Sequence, residues 1–77
     1  MAVINELHEI IHFHRKKARL SRMELADLSG VGKTVIYDLE NGKETVKWST
    51  IQAVLTAVNV KVKFESPLME IYEKSAD

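Results

Sequence analysis

The sequence contains no cysteine, which excludes disulfide cross-links and thiolate metal sites. It has no apolar run approaching the roughly 18 residues that span a bilayer, and its N-terminus lacks a signal-peptide pattern. A soluble, cytoplasmic protein is therefore expected. No nucleophile, base and oxyanion donor can be grouped from the residues present, so neither an enzyme nor a cofactor is expected. The chain also lacks length: 77 residues make one small domain, near the size at which a single core supplies only a few kcal/mol and oligomerisation is a common remedy.

Net charge is absent as well, with eleven Lys and Arg against eleven Asp and Glu. The balance is uneven along the chain. From His12 to Lys47 eight basic residues face five acids, a charge of +3, whereas from Phe64 onward Lys74 stands against Glu65, Glu70, Glu73 and Asp77, a charge of −3. Such polarity suits phosphate on one side and a different partner on the other.

The basic part coincides with the most organised stretch, Ser21 to Gly42. Ser21 followed by Glu24 has the form of a capping box, so a helix is predicted from Arg22, with Met23, Leu25, Ala26 and Leu28 as its apolar positions. Gly30 can take the left-handed conformation that closes a helix, and Val31 offers an apolar plug before Gly32 opens the next. A second helix is predicted from Lys33 to about Glu40. Its Val35, Ile36 and Leu39 point inward, Asn41-Gly42 ends it, and Lys33, Thr34, Tyr37 and Asp38 face outward. This is the sequence form of a helix-turn-helix, whose second helix enters the major groove.

Around it, residues 3–18 are predicted as a first helix with Ile4, Leu7, Ile11, His14 and Ala18 on its apolar stripe and Ile10 and Phe13 outside it. Trp48 to Val58 is predicted as a further helix with Trp48, Ile51, Val54, Leu55 and Val58 on one side, Trp48 as a core anchor and Asn59 as a left-handed end. The period then changes to two. Val60, Val62 and Phe64 alternate with Lys61, Lys63 and Glu65, the pattern of a half-buried strand. A lone strand leaves both edges unpaired, so antiparallel pairing with a second copy, and hence a homodimer, is expected. Ser66-Pro67-Leu68-Met69-Glu70 has the look of another helix start in capping-box form. A short helix to about Lys74 with Leu68, Ile71 and Tyr72 on one side, or a frayed acidic tail, is the expectation there.

Two catalytic motifs are matched and set aside. His8-Glu9-Ile10-Ile11-His12 fits the H-E-x-x-H of zinc proteases, but no downstream ligand is evident and His14 falls on another face. The histidines are expected on a solvated helix flank, with no metal. Gly30-Val31-Gly32-Lys33-Thr34 ends like a phosphate-binding loop, yet the first glycine of that pattern would stand where Asp27 lies, inside a helix and without a preceding strand.

The helix-turn-helix stretch resembles the phage-repressor and xenobiotic-response-element (XRE) class. Ala26, Gly30, Val31, Ile36 and Leu39 fall at that family's spacing, and Leu39-Glu40-Asn41-Gly42-Lys43 is one of its recurrent runs. The resemblance implies an all-α, compact domain of four to five helices, lambda-repressor-like, to which the strand pattern adds one C-terminal β-strand paired across a homodimer. It implies a structural ion pair between Arg15 and Glu40. It further implies that Lys33, Thr34, Tyr37 and Asp38 read bases, while Arg22, Asn41, Lys43 and Lys47 hold phosphates.

Helices followed by a single swapped strand, over roughly residues 4 to 65, further resemble the HipB-like antitoxins, whose toxin is a HipA-type serine/threonine kinase. This implies a homodimeric repressor that binds an inverted-repeat operator ahead of its own operon and docks the kinase. Residues 1–65 would form the DNA-binding and dimerisation domain, with Val60, Val62 and Phe64 in the dimer strand, and 66–77 the acidic tail. The rival reading is a protein-interaction subunit that masks a partner, with the helix-turn-helix as scaffold only.

Overall fold

Five helices make up the regular structure among the described residues, which are 3–75 of a computed structural model, with side chains from Glu6 onward. They are α1 (Val3–Lys17), α2 (Arg22–Ser29), α3 (Lys33–Glu40), α4 (Trp48–Ala57) and α5 (Met69–Ser75). Helix α2 packs on α3 and α4, and α1 packs on α3. The core is Ile11 from α1, Leu25 and Ala26 from α2, Ile36 and Leu39 from α3, and Val54 and Leu55 from α4. Leu7, Val31, Val35, Ile51 and Val58 close over it. No described helix is long and apolar enough to cross a membrane.

The helices stop by one repeated device. At the end of α1 the Leu20 N–H donates to the Arg15 carbonyl (3.1 Å) and the Arg19 N–H to that of Lys16 (3.0 Å). At α3 the Lys43 N–H reaches the Asp38 carbonyl (3.0 Å) and the Gly42 N–H that of Leu39 (3.2 Å). At α4 the Val60 N–H reaches Leu55 (2.9 Å) and the Asn59 N–H reaches Thr56 (3.0 Å). These are Schellman closures, each turning on a left-handed residue: Arg19 (φ 60°), Gly42 (φ 83°) and Asn59 (φ 63°). Gly30 (φ 74°) plays the same part after α2, where the Val31 N–H donates to the Ala26 carbonyl. The residue just beyond the turn is apolar and packs on the core in three cases, Leu20, Val31 and Val60. In the fourth it is Lys43, which pairs with Asp38 instead. The capping box at the start of α2 is formed, with the Ser21 side chain accepting from the Glu24 N–H and the Glu24 carboxylate from the Ser21 N–H.

A buried ion pair ties α1 to α3. Arg15 Nε donates to Glu40 Oε2 and its Nη2 to Oε1 at 3.1 Å, while Nη1 donates to the Leu20 carbonyl at 2.8 Å. Both residues are buried. Burial by itself raises the Glu40 pKa. The hydrogen bonds from Arg15 and His12 and the positive charge beside it outweigh that effect, so the carboxyl titrates below its ordinary value of 4.5.

Several expectations need correction. The inward face of α1 is Leu7, Ile11 and Arg15, at four-residue steps along one side of the helix. His14 is only half-buried and Ala18 is exposed in the turn, because the helix ends at Lys17. Ile4, also expected on the stripe, lies outside the described side chains. Met23 and Leu28 are exposed, since a helix of eight residues touches the core mainly through Leu25 and Ala26. Trp48 is half exposed and is a groove wall instead of a core anchor.

No strand forms among the described residues. Val60 packs on the core, but Val62 and Phe64 are exposed, because a ladder requires a second extended segment and none lies beside 60–65. The second capping box is also not formed. Three residues after Ser66 stands Met69, which cannot reach back as a carboxylate does, and α5 begins only after a turn at Pro67-Leu68. Leu68, Ile71 and Tyr72 are all exposed.

Three outcomes are expected. Arg19→Gly relieves a left-handed arginine and should stabilise the fold by about 1 kcal/mol, net of added unfolded-state entropy, raising Tm by several degrees. A fall in Tm would mean that the turn depends on the arginine side chain. Arg15→Met strands a buried carboxylate and should cost about 3–5 kcal/mol in urea denaturation, whereas Arg15→Met with Glu40→Leu should recover most of it. The lowered Glu40 pKa also sets a pH dependence. A carboxylate with a lower pKa folded than unfolded stabilises fully above its unfolded value and loses that contribution as pH falls through the folded one. Below about pH 4.5 the wild type should therefore lose stability faster than Glu40→Gln, which has no carboxyl to titrate.

Candidate nucleic-acid interface

Helix α3 divides into two faces because neighbours on a helix surface recur at three and four residues. Ile36 and Leu39 enter the core. Lys33 and Thr34 in the first turn, and Tyr37 one turn on, are exposed, so these three expected base readers lie on the outward side. Asp38 differs. It is only partly exposed, and its Oδ2 sits 3.4 Å from Lys43 Nζ. To accept from a base it must exchange that partner.

The residues expected at phosphates are arranged around α3. Arg22, in the first turn of α2, donates from Nε to Glu40 Oε1 at 3.2 Å, and its guanidinium lies 5.5 Å from the centre of the Tyr37 ring. It therefore links the start of one helix to the outer face of the other. Asn41 donates from Nδ2 to the Tyr37 carbonyl at 2.8 Å, tying down the last turn of α3. Lys43 and Lys47 are exposed on the loop to α4, Lys47 at its N-cap position. The expected dimer residues lie elsewhere in the chain, Val60 against the core after α4 and Val62 and Phe64 in solvent.

A shallow cleft of about 450 Å³ runs between the end of α1 and the beginnings of α2 and α3. Arg15, Lys16, Arg22 and Lys33 line it together with His12, and no carboxylate does. Arg15 and Arg22 are already paired with Glu40, so the surplus positive charge of this concave surface comes mainly from Lys16 and Lys33, and it raises the local concentration of anions. The cleft reaches Lys33, the first residue of α3, so one continuous surface carries both the positive charge and an exposed helix face.

His12 belongs to this site although no role was assigned to it from sequence. Its Nδ1 stands 3.1 Å from Glu40 Oε1, and it lines a second hollow of about 340 Å³ with His8, Glu9, Arg22, Glu40 and Asn41. The signal available was its place three residues before Arg15, which puts both on adjoining parts of α1. The histidines are thus not simply solvated. His14 Nδ1 pairs with the Ile10 carbonyl at 2.7 Å, and His8 Nδ1 is buried without a hydrogen-bond partner. Among the described residues no group of three or more His, Asp and Glu comes together to hold a metal ion. Gly30 and Gly32, which echo a phosphate loop, close α2 and open α3.

No curated protein matches the chain. A family model described as a helix-turn-helix domain matches residues 12–63, about two thirds of the length. The matched span starts at His12, takes in Arg15 and all of α2, α3 and α4, and runs into the irregular segment beyond. Its middle is the paired α2 and α3 just described, with a three-residue break at Gly30-Val31-Gly32. The chain belongs to the helix-turn-helix domain family.

Proposed function

We propose that this protein is a sequence-specific DNA-binding transcriptional repressor, the antitoxin of a HipA/HipB-like toxin–antitoxin system that represses its own operon and binds a kinase toxin. The observation that carries the DNA reading is the join between the outward row Lys33, Thr34 and Tyr37 and a cleft lined by Arg15, Lys16, Arg22 and Lys33, whose charges exceed the single carboxylate, Glu40, that pairs with two of them. Helix α3 enters the major groove. Lys33 donates to guanine O6 and N7, Thr34 meets a thymine methyl or a base acceptor, and Asp38, released from Lys43, accepts from cytosine N4. Tyr37 serves a base or a phosphate. Arg22, Asn41, Lys43 and Lys47 set the register on the backbone.

The repressor acts as a homodimer. Val60 anchors the extended segment to the core while Val62 and Phe64 remain exposed. Antiparallel pairing of this segment with its copy supplies the missing ladder and covers both side chains. Two recognition helices about 34–36 Å apart then require an inverted-repeat operator. The acidic tail, with Leu68, Ile71 and Tyr72 in solvent, docks the toxin. Those same exposed side chains favour the second reading, a subunit whose work is to mask a partner protein.

Fluorescence anisotropy on duplex from upstream of the reading frame separates the two. The wild type should prefer that duplex to a scrambled one. Lys33→Ala with Thr34→Ala should abolish the preference, each base contact being worth about 1–3 kcal/mol, or roughly 5- to 150-fold. Deleting one half-site should weaken binding far more than moving a flanking base. Equal, weak binding to both duplexes, unchanged in the variant, would overturn the repressor reading in favour of the partner-masking subunit.

A further inference from the structure

Helix α1 turns Leu7, Ile11 and Arg15 toward the core, and its opposite side is not simply polar. At about 3.6 residues per turn, Glu6, Ile10, Phe13 and Lys17 fall on one stripe facing away from that core side. Their alternating steps of four and three residues are those of the a and d positions of a heptad. Phe13, in the middle of the stripe, is 54% exposed. Its ring is steadied by its own helix, edge-on to the His14 ring at 5.3 Å between centres and with Lys17 Nζ 5.6 Å from its own centre. Beside it lies a hollow of about 270 Å³ lined by Glu6, Glu9, Ile10, Phe13 and His14. The first four of these stand at i, i+3, i+4 and i+7, the set that forms the hole for a knob from a facing helix.

The charges along the stripe decide which helix fits it. Glu6 and Glu9 lie toward the start of α1 and Lys16 and Lys17 at its end. A second α1 laid antiparallel, with the two-fold axis level with Ile11 and His12, sets Glu6 against Lys17 of the other copy and Ile10 against Phe13. The residue numbers of each such pair have the same sum, as an isologous contact requires. Each Phe13 then enters the hole around Ile10 of the other copy, and on the flank Glu9 comes beside Lys16. A parallel arrangement would instead set Glu6 on Glu6 and Lys17 on Lys17, which like-charge repulsion opposes.

We propose that the outer face of α1 is a self-docking surface that takes α1 of a second copy of this chain, antiparallel, with Phe13 as the knob and a Glu6–Lys17 ion pair at each end. Helix α3 packs on the other side of α1, so this contact leaves Lys33, Thr34 and Tyr37 open. It is separate from residues 60–65 and does not depend on the pairing argued for them above. Some three turns of helix make a small interface of the transient class, with a dissociation constant on the order of 0.1 mM.

Sedimentation equilibrium tests it in the Phe64→Asp chain, which cannot pair through residues 60–65 and keeps α1 intact. That chain should show a monomer–dimer equilibrium with the stated constant. Adding Phe13→Asp should abolish it without changing the circular dichroism spectrum, because the ring is exposed. Glu6→Lys and Lys17→Glu should each weaken it roughly 10-fold. Both substitutions in one chain should restore it, since the exchanged charges again face each other, and so should an equimolar mixture of the two single variants. A parallel pair would gain nothing from the double variant. Dimers that ignore Phe13→Asp, or that form equally well in the single variants, overturn the proposal. So does a Phe64→Asp chain that stays monomeric well above that constant, in which case any dimer of the wild type belongs to residues 60–65.

Discussion

One carboxylate organises the molecule. Glu40 ends the second helix of the pair, is nearly closed to solvent, and receives four N–H groups from three residues on two other helices. A buried charge is costly unless every lone pair is used, and here the donors come from His12 and Arg15 on α1 and from Arg22 on α2. Satisfying Glu40 therefore fixes both neighbours against α3. The hydrophobic core holds the same helices together but is indifferent to small rotations. The carboxylate is not, since a hydrogen bond weakens steeply once its angle is lost.

The second constraint is how short the helices are. Helices α2 and α3 have eight residues each, too few to be stable alone in water, so they exist only through their caps and their packing. The left-handed closures give both at once, because the turn that satisfies the last carbonyls also swings an apolar residue back to the core. At the end of α3 this slot falls to Lys43, and an ion pair to Asp38 takes the place of the apolar contact. The surface at the end of α3 is thereby kept polar without leaving the helix end open.

Much of this was legible beforehand, and the reason is local chemistry. The start of α2, the break at Gly30 and the left-handed Asn59 follow from residue types with few alternatives, and the boundaries of α3 and α4 follow from those. The pairing of Arg15 with Glu40, 25 residues apart, came from the family resemblance, since nothing in either helix by itself requires it. On α1 periodicity placed Leu7 and Ile11 inward but then took His14 and Ala18 in place of Arg15, because selecting apolar residues passes over an arginine that belongs to the core by virtue of its partner. The left-handed Arg19 was missed for a similar reason: a charged residue carries no turn signal, and only the bond from Leu20 to Arg15 demands it. The alternation from Val60 to Phe64 has the period of a strand, but a ladder needs a second segment to pair with, and none forms among the described residues. For α3 and its surroundings the resemblance implied base and phosphate contacts, but nothing in the sequence indicated that Asp38, and Arg22 on α2, already have partners within the fold.

Trp48 is the only tryptophan, and it stands at the mouth of a groove of about 240 Å³ walled by Leu7, Leu39 and Ile51. The loop after α3 forms the rim, through Gly42, Lys43 and Glu44. An indole in that position has one face on apolar side chains and one in water. The near-ultraviolet emission of the molecule thus originates almost wholly from a single spot at the boundary between core and solvent. Whatever closes over that groove, whether a tail, a second copy or another protein, dries the ring and writes its arrival into the colour of the light, with no label attached.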